Sequence, residues 1–344
     1  MLSIAQWNMN GYFNNNHELN LLINELSPDI ICLQETHIKP GLKNPLVPIK
    51  YNSYFYNLPN ITNAKQGIAI LIKKNIEHSV IQINSNLSIL AIRIKSIYSL
   101  TIINLYIPPF QQFSTSDLYQ ILSQVSNPLI IVGDFNSWSP LWGSPVVNNR
   151  GKEIENFIIP ANLMVLNDGS PTHFSTHKSF THVDLTISSS TISSKCQWNC
   201  LSSLYGSDHF PIITKIKFNN NRNIFKPKPK FKLELANWKK FSLFAENFLS
   251  RKPSSININK ETAQIQKALV SAAHHSIPQT KCKILKHLVP WWNPELSVLR
   301  KIKQDCWYDF KKHNTTEFLI KYKKANALFR KKQNDSQWNH SQKL

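Results

Sequence analysis

The first 218 residues contain eight short apolar runs, rich in Ile, Leu and Val and separated by polar or helix-like stretches. Several runs are apolar at nearly every position, which is typical of strands buried on both faces. Others lie close together along the chain and indicate hairpins. We therefore expect an α/β fold in which β-sheets pack face to face with helices outside them. The runs are LSIAQWN, DIICLQE, GIAILIK, LAIRI, LTIINLYIP, LIIVGDF, HVDLTIS and PIITKIKF.

Positive charge is concentrated in the last third of the chain. The 344 residues carry a formal net charge of +20. Residues 1–218 hold 14 Lys and Arg against 12 Asp and Glu, whereas residues 219–344 hold 26 against 8. Such a one-sided excess is typical of a segment that is attracted to nucleic acid or another polyanion, and solvated helix faces explain only part of it.

A polar, basic stretch separates two parts of different character. Residues 219–233 contain two prolines, and we interpret them as an extended linker. In residues 234–344, apolar side chains recur at intervals of three and four with Lys and Arg between them, which predicts helices. Pro294 is suited to the first turn of one of them. The predicted organisation is thus a domain at 1–218, a linker, and a basic, mostly helical segment.

The sequence shows no recognisable targeting or membrane-spanning segment. Its first residues lack the basic start, apolar middle and cleavage site of a signal peptide. No apolar run approaches the ~20 residues that cross a bilayer. The five cysteines are few and odd in number, which does not suggest a secreted disulfide framework. We expect a soluble intracellular protein with no membrane partner.

Polar side chains stand at the ends of the apolar runs. Taken singly, each has an ordinary interpretation: Asn136 is typical of an Asx turn, Asp134 of a cap and His209 of a hydrogen-bonded core histidine. Together they favour a functional site, because strand ends that converge on one rim are where an α/β scaffold commonly builds it. The set is Asn8, Glu35, Tyr106, Asp134, Asn136, Asp184, Asp208 and His209.

The residue types at these positions indicate chemistry on a phosphate group. Glu35 is a hard oxygen ligand for a hydrated divalent ion such as Mg²⁺. A carboxylate beside His209 can orient its imidazole, which as a cation stabilises charge on a phosphate. Asp134 and Asn136 lie two positions apart on what we interpret as an extended segment, so their side chains would reach one substrate atom together. Asp134 is then the candidate base that activates water.

Six motifs resemble, in their order along the chain, those of the endonuclease/exonuclease/phosphatase superfamily with the DNase I-like fold: QWNMNG, CLQETH, NLYIPP, GDFN, HVDLTIS and SDHFPI. The resemblance covers roughly residues 1–218 and implies a four-layer α/β sandwich, two packed β-sheets flanked by helices. Finer features resemble the endonuclease region of jockey-like non-LTR retrotransposons, namely GDFNSWSPLWGS, NRGKEIENFI, LNDGSPTHF and VPWW. The basic tail resembles the connector that precedes reverse transcriptase in those elements, and no polymerase metal-binding motif is present in this chain.

The resemblance implies roles for the individual residues. Glu35 and Asn8 match the family's metal-ligand and amide positions, and Asn10 stands where many members place an Asp or Asn near the metal. Asp208 matches the acid that precedes the catalytic histidine, and we assign it to both the metal set and the catalytic set. The implied metal is Mg²⁺, for which Mn²⁺ could substitute, and no small-molecule cofactor is expected.

The remaining catalytic positions concern the scissile phosphate. Tyr106 matches the tyrosine that contacts it, and Asp134 the residue that activates the attacking water. Asn136 matches the positioning partner of that aspartate. His209 matches the histidine that stabilises the phosphate, and Asp184 the acid paired with it.

Two segments and one further arginine are expected to contact DNA. Lys65, Lys73 and Lys74 lie in a stretch that family members run near the DNA, although a solvated strand edge is an equal alternative. Residues 170–183 are rich in Thr, Ser and His between two strands, and they are expected to touch the groove and select the target. The candidate DNA-binding residues are Lys65, Lys73, Lys74, Thr172, His173 and, in the NRGKEIENFI motif, Arg150.

The resulting expectation is a Mg²⁺-dependent DNA endonuclease. It would nick double-stranded target DNA, leave a 3′-hydroxyl and a 5′-phosphate, and so prime reverse transcription of a non-LTR element in the nucleus, with element RNA or a ribonucleoprotein as a further partner. The alternatives are an abasic-site repair endonuclease, a phosphoinositide-type phosphatase of the same superfamily, and an inactive nucleic-acid-binding relic.

Overall fold

Contacts divide the chain into two compact units. Met1–Phe218 and His287–Leu344 form one unit, and Asn219–Lys286 forms the other. The predicted connector 234–344 is therefore split between the two units, because the last two helices pack on the first domain through aromatic side chains that helical periodicity does not reveal. The structure is a computed structural model that describes residues 1–39, 45, 47–56, 66–95, 99–175, 179–218, 231–250, 258–279 and 291–341.

All eight apolar runs form strands, and these belong to two six-stranded mixed sheets. The first sheet contains β1 (Leu2–Asn8), β2 (Ile30–Gln34), β3 (Tyr51–Tyr56), β4 (Ile68–Lys73), β13 (Cys196–Cys200) and β14 (Ile212–Ile216). The second contains β5 (His78–Ile81), β6 (Ser88–Ile94), β7 (Thr101–Tyr106), β8 (Leu129–Asp134), β9 (Leu163–Val165) and β12 (Asp184–Ser189).

The strand order brings the polar strand ends together. The first sheet runs β13-β14-β1-β2-β4-β3, and the second runs β5-β6-β7-β8-β12-β9. β1 pairs in parallel with β2, and β7 pairs in parallel with β8. Because parallel neighbours end at the same edge, each sheet presents two carboxyl-terminal strand ends side by side. A separate two-stranded hairpin consists of β10 (His173–Phe174) and β11 (Phe180–Thr181).

Eight α-helices are described. They are α1 (Tyr12–Leu26), α2 (Thr115–Ser123), α3 (Asn149–Ile158), α4 (Ser190–Ser193), α5 (Trp238–Ser250), α6 (Ile258–Ser276), α7 (Pro294–His313) and α8 (Thr316–Ser341). Two short 3₁₀ helices span Pro140–Trp142 and Leu233–Leu235. Pro294 occupies the first turn of α7, as its position in the sequence predicts. Within the described part of the chain, none of the helices is long and apolar enough to cross a membrane.

Alternating side chains of the central strands enter two different apolar layers. In β2, Ile30 and Cys32 pack between the two sheets, whereas Ile31 and Leu33 pack beneath α1. On the outer face of the second sheet, α2 and α3 cover a third apolar layer. The layers are thus helix, sheet, sheet and helix, which confirms the four-layer α/β sandwich.

Buried amides join the two sheets near their polar ends. The Gln34 side chain donates to Asn104 Oδ1 over 2.6 Å, and Gln6 donates to the carbonyl of Gly133 over 2.8 Å. A Cβ on Gly133 would lie 1.7 Å from the carbonyl oxygen of Leu105 on β7, so this position requires glycine. The close approach of β7 and β8 at this point fixes the positions of Tyr106 and Asp134, which follow Leu105 and Gly133 in their strands.

Candidate active site

A hydrogen-bonded group of four side chains forms where the parallel strands end. Asn8, the last residue of β1, donates its Nδ2 to Glu35 Oε1 and to Asp134 Oδ2, each over 3.0 Å. Tyr106, the last residue of β7, donates its hydroxyl to the same Glu35 oxygen over 2.8 Å. Asn8 therefore bridges the two carboxylates that come from different sheets.

The turn after β8 is an Asx turn and not an extended segment. Asp134 Oδ1 accepts from the backbone N–H of Asn136 over 3.0 Å, and Asn136 has a φ of 48° in the left-handed region. The Asn136 amide donates to the carbonyl of Ile107 over 3.2 Å. The expectation that both side chains point the same way from an extended strand is wrong, because the strand ends at Asp134. The turn still places Asn136 beside Asp134.

His209 lies between two carboxylates. Its Nδ1 is 2.8 Å from Asp184 Oδ2, and its Nε2 is 3.9 Å from Asp134 Oδ2. Asp184 opens β12 and is paired in register with Asp134, the last residue of β8. All three side chains are buried, so one imidazole and two carboxylates share a volume from which water is largely excluded.

Burial and neighbouring charge shift the pKa values of this group away from their usual values. Burial raises the pKa of Asp134, and repulsion by Asp184 raises it further toward neutrality. Burial lowers the pKa of His209, but the charges of Asp184 and Asp134 outweigh burial and hold that pKa above its usual 6.5. His209 is consequently a cation at neutral pH, and Asp134 is suited to accept a proton.

The predicted metal ligands form a connected chain of polar contacts. Asn10 donates its backbone N–H to Asn8 Oδ1 over 3.2 Å and its Nδ2 to Asp208 Oδ1 over 3.3 Å. Burial raises the pKa of Glu35, but hydrogen bonds from His37, Asn8 and Tyr106 lower it overall. Burial likewise raises the pKa of Asp208, and the nearby histidines lower it well below its usual range. Two ionised carboxylates and an amide suit a hard divalent cation.

Two tight clusters could also hold a metal by geometry. They are His173, Asp208 and His209, and Asp134, Asp184 and His209, with the ligand atoms of each cluster within 4.8 Å of one another. Both clusters use His209, whose imidazole is protonated between its carboxylates and cannot donate a lone pair. The chain Glu35, Asn10 and Asp208 is therefore the better candidate for a metal site.

His37 belongs to the site although the sequence reasoning omitted it. Its Nε2 lies 3.2 Å from Glu35 Oε2, so both oxygens of this carboxylate have polar neighbours. Glu35 and His37 both have φ near +50° (49° and 53°), a conformation that non-glycine residues rarely adopt. The available signal in the sequence was the histidine two positions after Glu35 in the CLQETH motif.

The β10–β11 hairpin places His173 in the site. The His173 and His209 ring centroids are 4.4 Å apart, and His173 Nε2 lies 3.7 Å from Asp208 Oδ2. His173 Nδ1 is 2.7 Å from Thr181 Oγ1 on the paired strand. The predicted target-selecting segment 170–183 thus contains a side chain that touches the catalytic group, while its residues 176–178 lie outside the described part of the chain.

Thr172 corrects a prediction made for the same segment. Its side chain is completely buried, and its hydroxyl accepts from the backbone N–H groups of Val183 and Asp184 over 3.2 and 3.1 Å. A buried hydroxyl that is occupied in this way does not reach DNA. Thr172 instead holds the backbone at Asp184.

The other side of the hairpin packs on α7. Phe174 and Phe180 lie 5.2 and 6.2 Å, between ring centroids, from Trp307, and Phe210 lies 5.9 Å from it. Trp307 donates its Nε1–H to the carbonyl of Ser202 over 2.8 Å. This tryptophan is buried against Phe210, the residue that follows His209, a position that the helical pattern of the tail did not predict.

Two of the lysines that were expected to contact DNA, Lys73 and Lys74, do not share this rim. Lys73 ends β4 beside the start of β2, where its Nζ forms an ion pair with Asp29 Oδ1 over 2.8 Å. Glu35 follows the opposite end of β2, so Lys73 and the adjacent Lys74 lie at the far edge of the sheet. The solvated edge is the better interpretation of these two. Lys65 lies outside the described residues.

Arg150 is also engaged by the protein itself. Its guanidinium donates to the carbonyls of Ile107, Gln111 and Phe135 over 2.7–2.9 Å. Arg150 therefore ties together the loops that follow β7 and β8. Its predicted contact with DNA is corrected to a structural role, because three backbone carbonyls occupy its donors.

Comparison with known proteins agrees with this geometry. A family model described as endonuclease-reverse transcriptase matches residues 100–213, which include Tyr106, Asp134, Asp184 and His209. Among solved structures, the endonuclease domain of TRAS1, a telomere-specific non-LTR retrotransposon, matches 64% of this chain and 100% of its own, at a TM-score of 0.54 and 20% identity. The matched part of this chain therefore shares the fold of that domain. The catalytic domain of Xenopus laevis APE2 shares the fold, with a TM-score of 0.51, 19% identity, and coverage of 64% and 94%.

Curated relatives of this chain come from mobile elements of Drosophila melanogaster. The chain is 28% identical over 217 residues to the RNA-directed DNA polymerase from mobile element jockey, covering 62% of this chain and 23% of that protein. It is 26% identical over 217 residues to the probable RNA-directed DNA polymerase from transposon X-element, covering 62% and 24%. The chain spans about a quarter of the length of these relatives. The resemblance to jockey-like elements is confirmed at the level of sequence similarity.

Proposed function

We propose that this chain is a divalent-metal-dependent endonuclease that nicks double-stranded DNA and leaves a 3′-hydroxyl and a 5′-phosphate. The observation that carries the proposal is the pair of carboxylates bridged by Asn8. One of them, Glu35, belongs to an ionised cation-binding set, and the other, Asp134, faces a protonated His209. Hydrolysis of a phosphodiester requires a base, here Asp134, a cation to balance charge on the phosphate, here His209, and oxygen ligands for a metal, here led by Glu35.

The proton path follows from the hydrogen bonds. Asp134, held by Asn8 and by the N–H of Asn136, accepts a proton from the attacking water. His209, held by Asp184, directs its Nε2–H to a non-bridging oxygen and balances the charge that develops there. The water oxygen forms a bond to phosphorus, the bond from phosphorus to O3′ breaks, and O3′ leaves with a proton from solvent.

Tyr106 has a supporting part in this scheme. Burial raises the pKa of its hydroxyl, and the charge of Glu35 raises it further, well above the usual 10. The hydroxyl therefore remains neutral and continues to donate to Glu35. It fixes that carboxylate beside the phosphate.

The residues present fit a divalent cation. Glu35 and Asp208 supply ionised oxygens, and Asn10 supplies an amide whose oxygen can turn toward a cation. When bound, Mg²⁺ would neutralise charge on the phosphate and on the departing oxygen. Mn²⁺ is expected to substitute, because it accepts the same oxygen ligands.

The biological setting is proposed from the relatives. Their names place them in mobile elements and describe them as RNA-directed DNA polymerases. A nick with a 3′-hydroxyl supplies the primer that such a polymerase extends, so we infer target-primed reverse transcription in the nucleus, with element RNA or a ribonucleoprotein as a partner. The 26 Lys and Arg of residues 219–344 would bind nucleic acid phosphates without sequence preference.

The test is conversion of supercoiled plasmid to open circles in the presence of Mg²⁺. The parent is expected to nick, and EDTA, Asp134→Asn or His209→Asn should abolish nicking. Glu77→Gln is the matched control, because it removes a carboxylate that is exposed and is not part of the site. The nicks should be sealed by DNA ligase and extended by a polymerase without prior end repair, which reports the 3′-hydroxyl and 5′-phosphate directly.

Two results would contradict the proposal. A plasmid that stays supercoiled but is retarded in a salt-sensitive manner would favour the non-catalytic binding relic. Cleavage of an abasic duplex with no cleavage of an intact one would favour a repair endonuclease. A phosphoinositide substrate, assayed in parallel by phosphate release, tests the phosphatase alternative.

A further inference from the structure

A polar cleft lies beside the candidate metal site. Its volume is about 410 Å³, and the beginning of α1, the backbone at Gly206 and the last part of α8 form its walls. Asn10 lines this cleft and also donates to Asp208. The cleft therefore opens directly next to the site, and a ligand could extend from one into the other.

One donor in the cleft has no partner. Gln333 on α8 lines the cleft and is only 4% exposed, and its Nε2 has no hydrogen-bond partner among the described residues. A buried N–H that is left unpaired is costly, and native proteins rarely retain one without a reason. A ligand that brings an acceptor to this position would satisfy it.

The other walls supply two further kinds of group. Glu18 is buried in the cleft with its Oε1 3.5 Å from Lys303, and a carboxylate has more acceptor positions than one lysine uses. Arg330 is exposed at the mouth and donates one Nη2–H to the carbonyl of Gly206 over 2.6 Å. A guanidinium has five donors, so Arg330 can also bind an anion.

We propose that this cleft takes one unstacked nucleotide of the substrate DNA. The edge of a nucleobase carries donors and acceptors side by side, which match the Glu18 carboxylate and the Gln333 amide in the interior. The adjoining phosphate meets Arg330 at the mouth, and the strand continues past Asn10 to the metal site. The volume of the cleft is within the range of sites for small ligands. The inference rests on the proposed function, because it requires that DNA is the substrate.

The proposal gives α8 a part in substrate recognition. Gln333 and Arg330 lie outside residues 1–218, so a domain that ends at residue 218 would lack the wall of the cleft that α8 supplies. The cleft lies at a fixed distance from the scissile bond. Its preference for one base would therefore contribute to the choice of nick position. This selection is separate from the one expected of the β10–β11 hairpin.

The experiment places 2-aminopurine, whose fluorescence rises when it unstacks, at successive positions around a mapped nick in a duplex. With the parent chain in EDTA, a rise is expected at one position. Gln333→Met should abolish the rise there and lower the nicking rate in Mg²⁺ about tenfold. Its melting temperature should be unchanged or higher, because the unpaired donor is removed. Arg330→Ala should weaken DNA binding about tenfold.

The control is Leu328→Ala, which shortens a side chain of α8 that is 48% exposed and lies outside the cleft, and it should behave as the parent. If the parent nicks DNA without a rise at any position, or Gln333→Met keeps the rise and the nick pattern, the inference is wrong and the proposed function stands. If the parent neither binds nor nicks DNA, the proposed function fails and this inference fails with it.

Discussion

Replacing Trp307 by alanine should weaken the packing of α7 on the β10–β11 hairpin, which carries His173. Trp307 is 3% exposed and packs on Phe174, Phe210 and Tyr322, the last with ring centroids 4.8 Å apart. Loss of a buried aromatic side chain of this size costs about 3–5 kcal/mol. The Nε1–H bond to Ser202 adds roughly 1 kcal/mol.

The appropriate measurement is local, because a chain with two compact units has no single two-state free energy of unfolding. Hydrogen exchange followed by mass spectrometry should show amides of β10–β11 and α7 exchanging roughly a thousandfold faster or more in Trp307→Ala, since each 1.4 kcal/mol is about a factor of ten. Trp307→Phe, which keeps the ring packing, should show a smaller increase. Nick positions should become less selective as the hairpin that carries His173 loses its support.

The matched control is Trp238→Ala in α5, where the tryptophan is 55% exposed, and it should leave exchange in β10–β11 unchanged. If Trp307→Ala leaves the exchange of both elements at the level of the parent, the aromatic packing does not hold the hairpin. The link drawn between the C-terminal helices and the site would then be refuted.

Three further perturbations have defined outcomes. Gly133→Ala should abolish both cooperative melting and nicking, because the added Cβ would lie 1.7 Å from the carbonyl oxygen of Leu105. Thr172→Val should lower kcat at least tenfold and leave DNA affinity in EDTA unchanged, because it leaves the N–H of Asp184 unpaired and does not remove a DNA contact. The Glu25 carboxylate forms an ion pair with Arg300 of α7 and accepts a hydrogen bond from the Tyr205 hydroxyl. Burial raises the pKa of Glu25, but these two interactions bring its folded-state pKa below the usual 4.5. The ion pair of Glu25 with α7 therefore stabilises the fold above pH 4.5 and is lost as the pH falls through the folded-state pKa. The protection factors of α7 amides, measured against the unstructured exchange rate at each pH, should fall in acid, and Glu25→Gln should flatten that fall.

The DNA-binding residues show where reasoning from the sequence was misled. Lys73, Arg150 and Thr172 were all expected to contact DNA and have side chains that commonly contact phosphate. In the fold, the lysine forms an ion pair with Asp29, the arginine donates hydrogen bonds to backbone carbonyls, and the threonine accepts hydrogen bonds from backbone N–H groups. A polar side chain binds the nearest compatible partner, and neighbours in space are not visible in a linear motif.

The local pattern by itself determined eight of the fourteen described strands and the set of polar residues at their ends. Runs such as IICLQ and LIIVGD are apolar at nearly every position because both faces of each strand are covered, and this property can be read from a few neighbouring residues. The identity of Glu35, Asp134 and His209 as site candidates followed from the same short stretches. The order of the motifs along the chain then indicated the four-layer sandwich.

Only the tertiary structure decided how these groups act on one another. The Asn8 bridge between carboxylates of different sheets and the left-handed turn at Asn136 depend on contacts between residues far apart in sequence. The packing of Trp307 on Phe210 and the position of Gln333 in the cleft that Asn10 also lines depend on how the last helices pack. Periodicity shows which face of a helix is apolar but not what covers it, since that choice is made by the free energy of the whole packed core.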